Sequence, residues 1–172
     1  MPKPSFDFAA WRERVLEIRD PKTHDESLEF CRLVEDAEGM QDIEVARTLF
    51  QTFTDKPDFS VKEAVLRVLA TYDLKTYYQA YLEELPRLKR ETRKQGWYEL
   101  LATYPGKESM EQEDCDELIS TVKSMSGEIQ RTFLNLIRRE DFLHHNDWAE
   151  YVVSRLKTEM PYGKHEGDSD AK

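Results

Sequence analysis

The stretch that decides the fold is VKEAVLRVL, residues 61–69. Its apolar residues Val61, Val65 and Val68 recur at spacings of three and four, which place them on one face of a helix. Ser60 and Glu63 form the pattern of a capping box, in which two side chains satisfy amides of the first helical turn. The stretch is therefore predicted to be an amphipathic helix that begins at Ser60.

Similar apolar stretches recur about every 34 residues along the chain, in two interleaved series. The first series is represented by Val15, Leu49, Leu82, Leu118 and Val152. The second series is represented by Val34, Leu69, Leu101 and Ile137. A period of this length matches a pair of helices and predicts a stacked helical repeat. An irregular bundle of helices of similar length would give a weaker version of the same period.

No alternating strand pattern separates these stretches, so the predicted fold class is all-α. We expect antiparallel helix pairs, about nine helices in all, stacked as a short α-solenoid. The chain of 172 residues fits one domain over residues 1–160. The polar residues 161–172 are expected to be a disordered tail. Pro86 is expected to end or break the helix that begins at Leu74, because proline disfavours a helical residue before it.

The charge balance limits the classes of partner. The chain has 35 acidic and 25 basic residues and a formal charge of −10. This balance opposes nucleic-acid binding, which gains from cationic contacts to phosphates. An acidic protein suits a basic protein partner, although the same charge can also serve solubility alone.

Cysteine spacing and the N-terminal sequence bear on chemistry and location. Cys31 and Cys115 are too far apart to form a CxxC metal pair, and both are expected to be buried thiols. The N-terminal MPKPSFDF lacks a basic start followed by an apolar core, and no stretch reaches the length of a membrane span. A cytoplasmic protein without membrane association is the expectation.

The densest charged feature is a cluster of six acids within ten residues, with no base among them. Its members are Glu108, Glu111, Glu113, Asp114, Asp116 and Glu117. The helix dipole favours acids at a helix start, so the cluster has a structural reason already. Because like charges repel, this density exceeds the need of a cap and predicts contact with a basic partner. Calcium binding is disfavoured, because no EF-hand spacing is present.

Further residues are predicted to join the same partner-binding surface. Two smaller acidic groups surround the turn between the second and third helices, at Glu35 and Asp36 and at Asp42. Four tyrosines lie within residues 72–81, and most of them have the spacing of core residues. Tyr78 is expected to face outward, because Tyr77, Tyr81 and Leu85 already share one stripe of the helix. Tyrosine suits an interface, because it combines apolar area with a polar tip.

A basic segment offers the opposite charge. Five cations, Arg87, Lys89, Arg90, Arg93 and Lys94, lie within eight residues and are followed by Trp97 and Tyr98. This combination is found in nucleic-acid readers, but the net charge of −10 opposes that reading. A solvated turn or intramolecular ion pairing is the favoured interpretation, and contact with a protein partner is the alternative.

No sequence motif indicates a catalytic centre. The chain lacks an HExxH, a GxSxG and a phosphate-cradling glycine loop. His144 and His145 are adjacent, so on a helix they point about 100° apart and are not placed to share a metal ion. We therefore predict no cofactor, no metal site and no enzymatic activity, although dispersed residues can converge into a site that sequence does not reveal.

The apolar spacing of residues 61–69 resembles that of HEAT-like α-helical repeats, and the resemblance covers most of residues 6–160. A small, acidic, all-helical chain of this type also resembles the immunity proteins of bacterial polymorphic or contact-dependent toxin systems. That resemblance implies an antitoxin that neutralises a cognate toxin by covering its active site or substrate surface. A scaffold for a protein complex and an enzyme with a dispersed site are the two alternatives.

Overall fold

The computed structural model describes residues 6–56, 61–107 and 109–159, and these contain ten helices and no strand. The predicted all-α class is confirmed. The helices are α1 Phe8–Glu17, α2 His24–Glu35, α3 Ile43–Gln51, α4 Val61–Leu69, α5 Leu74–Glu91, α6 Trp97–Leu100, α7 Gln112–Ser124, α8 Gly127–Ile137, α9 Glu140–His145 and α10 Trp148–Glu159. Ser60 and the proposed polar tail at 161–172 lie outside the described residues.

The two periodic series mark the core. All nine residues that represent them have no exposed surface. The first series falls on α1, α3, α5, α7 and α10, and each of these helices packs against the next one in that order. The second series falls on α2, α4, the residue after α6, and α8. The sequence period therefore identifies the residues that bury the seams between helices, where most of the hydrophobic stabilisation arises.

Helix starts follow ordinary capping chemistry. The side chain of Asp7 accepts a hydrogen bond from an amide in the first turn of α1, and Thr23 does the same for α2. Asp42, Asp73 and Ser126 cap α3, α5 and α8 in this way. Such a cap stabilises a helix by about 1 kcal/mol, because it satisfies an amide that has no partner within the helix.

The predicted end of α5 before Pro86 is wrong, because the helix continues to Glu91. Leu88 in the added turn is completely buried. Arg87 in the same turn forms ion pairs with Glu84 and Glu91 at 2.9 and 3.0 Å. Pro86 removes only one backbone donor, and these tertiary and local contacts offset its cost to the helix.

Lys62 is a fully buried cation at the C-terminal ends of two neighbouring helices. Its ammonium donates hydrogen bonds to the carbonyls of Arg19, just after α1, and of Thr52, just after α3, at 2.8 and 2.5 Å. It also lies 5.5 Å from the centre of the Phe30 ring on α2. Carbonyls at a helix end lack partners within the helix and carry partial negative charge, so a buried cation is stabilised there.

Two arginines complete the coordination of the α3 C-terminal turn, which we define as residues 50–53. Arg19 donates to the carbonyl of Gln51 at 3.1 Å. Arg87 donates to the carbonyls of Phe50 and Phe53 at 2.7 and 3.4 Å. Together with Lys62, three cations from separate parts of the chain satisfy four consecutive carbonyls. The end of α3 is thereby joined to α1, α4 and α5.

Replacing Lys62 by methionine keeps the length of the side chain but removes the donor. We expect the free energy of unfolding to fall by about 2 to 3 kcal/mol, because buried carbonyls lose a charged donor. Lys75→Met, which alters an exposed lysine, should change stability by less than about 0.5 kcal/mol. Urea unfolding followed by circular dichroism measures both, and equal losses in the two variants would contradict this role of Lys62.

Candidate protein-interaction surface

Helix α7 separates its apolar and acidic residues onto opposite sides. Its buried side chains, which include Leu118 and Val122, belong to the core, where α7 packs against α5 and α10. Glu113, Asp116 and Glu117 are exposed. These three residues are at spacings of three and four, so they share one side of the helix. We call them the α7 acidic face.

Two other members of the predicted acidic cluster are engaged in holding the start of α7. Glu111 and Asp114 form a reciprocal capping box, in which Asp114 accepts the amide of Glu111 at 2.9 Å. Lys107 donates to both oxygens of Asp114 at 2.7 and 2.8 Å. The Lys107 ammonium lowers the pKa of Asp114 below its usual value. Glu108 lies outside the described residues.

The α7 acidic face has few internal partners. Asp116 accepts a hydrogen bond from the Tyr151 hydroxyl of α10 at 2.8 Å, and this contact raises the pKa of Tyr151. Within the described ranges, Glu113 and Glu117 form no ion pair and no side-chain hydrogen bond. The sequence alone does not identify Tyr151 as part of this surface, because its contact with Asp116 depends on the packing of α10 against α7. The face therefore presents carboxylates that the fold itself does not neutralise.

The second predicted acidic group is separated from the α7 acidic face. Asp42 caps α3 and accepts amides at 2.8 and 3.2 Å. Glu35 lies 3.5 Å from Arg67, and Asp36 is the exposed residue that follows α2. Helix α5 lies between α3 and α7 in the packing order. One continuous acidic surface that includes these residues and the α7 acidic face stays a prediction.

The starts of α3 and α5 nevertheless lie on a common edge. The side chain of Gln41, just before α3, donates to the carbonyl of Thr71 at 2.9 Å and accepts the amide of Asp73 at 2.8 Å. The Tyr104 hydroxyl, before α7, donates to the carbonyl of Tyr72 at 2.6 Å. Acids at this edge gain from the amide dipoles of the helix starts. This stabilisation explains why acids occur at Asp42 and Asp73 without contact with a partner protein.

Tyr78 was predicted to face outward, and this prediction is wrong because Tyr78 has no exposed surface. Its hydroxyl donates to the carbonyl of Ala102 at 3.2 Å. Tyr77 and Tyr81 are also fully buried, and their hydroxyls donate to carbonyls at the residues in and after α6. Because α5 contacts α3, α6, α7 and α8, sides that would be exposed on a peripheral helix are covered. The three tyrosines supply hydrogen bonds to backbone that regular structure leaves unpaired.

The basic segment consists of the partly buried Arg87 and of four exposed cations, and its ion pairs are those of Arg87 and Arg90 with neighbouring glutamates. Arg87 donates to the carbonyls of the α3 C-terminal turn, as described above. Lys89, Arg90 and Arg93 border a depression of about 470 Å³ that is also lined by Tyr98. A smaller cavity of about 90 Å³ adjoins it and extends to α8. Sequence periodicity could not identify this cleft, because it arises where α5 and α8 pack together.

The remaining titratable groups do not assemble a metal site within the residues that the structure describes. No group of three or more His, Cys, Asp and Glu side chains there has metal-binding geometry. Cys115 is buried, but Cys31 is only partly buried, which corrects the expectation for that thiol. Burial raises the pKa of both thiols, which disfavours the reactive thiolate. His145 contacts the backbone carbonyl of Asp141 at 2.7 Å.

No family model matches the chain, and no curated protein or solved structure matches it. None of the described helices is both long enough and apolar enough to cross a membrane. The geometry of the chain itself is therefore the basis for assigning a function.

Capping acids and exposed acids should differ in their effect on stability. We expect Asp114→Ala to lower the free energy of unfolding at neutral pH by about 1 to 2 kcal/mol, because the capping box and the Lys107 pair are lost. Glu117→Ala should change it by less than about 0.5 kcal/mol. Urea midpoints of both variants measure the difference.

The effect of Asp114 should also depend on pH in a defined direction. Its pKa is lowered in the folded protein, so its stabilisation is present above the unfolded value of about 4 and is lost as the pH falls through the folded-state value. The difference in the free energy of unfolding between the wild type and Asp114→Ala should therefore disappear in acid. A gap that persisted unchanged down to about pH 2 would contradict the role of the charged carboxylate.

Proposed function

We propose that this chain is a protein-binding module whose α7 acidic face docks on a basic surface of a protein partner. The observation that carries the proposal is the state of three carboxylates on one exposed side of α7. Glu113 and Glu117 lack ion pairs within the described residues, and Asp116 accepts a hydrogen bond from the neutral Tyr151 hydroxyl. Clustered like charges repel one another, and cations of a partner would relieve that repulsion.

We further propose that the helices form a short HEAT-like stack. The order of contacts supports this arrangement, because α1, α3, α5, α7 and α10 each pack against the next. The contact of α2 with α4 supports a second layer beside the first. In such a stack, the exposed side of α7 lies on the outside of the first layer, where a large partner can approach it.

The most specific form of the proposal is an immunity protein that neutralises a cognate bacterial toxin. The formal charge of −10 and the unpaired carboxylates of α7 support it. A toxin that acts on nucleic acid needs a basic surface to hold phosphates, and a row of carboxylates can occupy that surface in their place. Long-range attraction between opposite charges would speed the encounter.

Neutralising the α7 acidic face tests the docking proposal. The triple variant Glu113→Gln, Asp116→Asn, Glu117→Gln removes three negative charges and keeps similar side-chain volumes. With a partner protein captured from native lysate by the wild-type chain, we expect the association rate of the triple variant at low salt to fall about tenfold, with little change in the dissociation rate, because exposed charges act mainly on encounter. Stopped-flow or surface plasmon resonance measures both rates.

A matched control separates local from global charge. Glu13→Gln, Glu38→Gln, Glu128→Gln removes the same number of charges at exposed positions on other elements. Equal effects of the two triple variants would contradict docking through α7. The immunity assignment requires, in addition, that the partner be toxic when expressed alone and that this chain restore growth. Several partners without toxicity would instead support a scaffold.

A further inference from the structure

We propose that the cleft between α5 and α8 binds an acidic, extended polypeptide segment that carries one apolar side chain. This inference is independent of the α7 acidic face, because it is based on a different surface with the opposite charge. The cleft combines three features: an array of cations, a cavity with apolar walls, and polar side chains without internal partners.

The cations come from the C-terminal half of α5 and the residues just after it. Lys89, Arg90 and Arg93 border the wider depression, and Lys89 also borders the adjoining cavity. Arg90 is 3.0 Å from Glu91. Within the described residues, Lys89 and Arg93 have no ion pair. Two uncompensated cations four residues apart repel each other, and a bound carboxylate would remove that repulsion.

The far side of the cleft contributes a cation that is already compensated. Arg139 lines the small cavity. It pairs with Asp141 at 2.5 Å and also with Glu99, whose carboxylate accepts the Tyr98 hydroxyl at 2.5 Å. These acids hold Arg139 and Tyr98 in place. The positive charge available to a ligand is therefore concentrated on the α5 side, at Lys89 and Arg93.

The small cavity suits a single side chain. Its volume is about 90 Å³, and Leu85, Leu136 and the Tyr98 ring are among the residues that line it. An apolar cavity of about 150 Å³ admits a benzene ring, so an aliphatic side chain is the appropriate occupant here. Drug-sized ligands need pockets of about 300 Å³ or more, which excludes burial of a large metabolite in this cavity.

Polar groups of α8 suit an extended backbone. Thr132 and Asn135 line the same cavity, and neither side chain has a hydrogen bond to another described residue. Threonine and asparagine side chains can both donate and accept, which matches the alternating amides and carbonyls of a peptide. Single-stranded nucleic acid also uses cations with an aromatic ring. The cavity that suits one aliphatic side chain, and the presence of only two uncompensated cations among the described residues of the cleft, favour the peptide.

Nuclear magnetic resonance titration of the full chain with the acetylated heptapeptide EEDLEED tests the proposal. We expect amide shifts at Tyr98, Thr132 and Asn135. The double variant Lys89→Glu, Arg93→Glu should weaken binding by about tenfold or more, because it reverses both uncompensated charges. Replacing the peptide leucine with alanine should weaken binding by about tenfold through lost apolar burial.

Matched controls make the test decisive. Lys22→Glu, Lys75→Glu changes the net charge equally at exposed positions away from the cleft, and it should leave affinity within about twofold at moderate salt. Circular dichroism and urea midpoints establish that both double variants are folded. The proposal is overturned if millimolar peptide shifts no cleft amide or if both double variants weaken binding equally. Cleft shifts with a thymidine heptanucleotide but not with the peptide would also overturn it.

Discussion

The C-terminal turn of α3 is the constraint on which the rest of the structure depends. Four consecutive carbonyls there have partners in three cations from separate parts of the chain: Arg19, Lys62 and Arg87. A helix end buried without such partners would be strongly destabilised. The same contacts fix the positions of α1, α4 and α5 around α3. The α7 helix then packs on α5, so the geometry of both proposed binding surfaces follows from this turn.

Charge is distributed unevenly over this framework. Cations are concentrated where α3 ends and where α5 ends, and acids are concentrated at helix starts such as Asp42, Asp73 and Asp114. Much of this uneven charge distribution is explained by the dipoles of the helices and by capping. Among the charges that these contacts leave unexplained, Glu113, Asp116 and Glu117 share one side of α7, and Lys89 and Arg93 lie beside the α8 cleft. These residues are the strongest candidates for contact with other molecules.

The core could be predicted from sequence to a useful extent. Val15, Leu49, Leu82 and the other periodic residues are all buried, because a helical period directly reflects which side of a helix is covered. Pro86 and Tyr78 were mispredicted for a common reason. Both belong to α5, which contacts four other helices, and local propensity does not reveal how many neighbours a helix has.

The candidate surfaces were predictable only in part. The acids of α7 are evident in the sequence, but their division into capping residues and exposed residues required the positions of Lys107 and Tyr151. The cleft had no local signal beyond its basic segment, because Thr132, Asn135 and Leu136 reach it through packing of α8 on α5. Long-range contacts of this kind leave no periodic trace in one sequence.

A double-mutant cycle between Lys62→Met and Arg87→Met tests the central claim most directly. If both cations stabilise the same turn cooperatively, loss of either one disorders the turn. The other cation then contributes less to the free energy of unfolding. The destabilisation of the double variant in urea should then be smaller than the sum of the single effects by about 1 kcal/mol. Additivity within about 0.3 kcal/mol would show that the two cations act separately and would contradict the account.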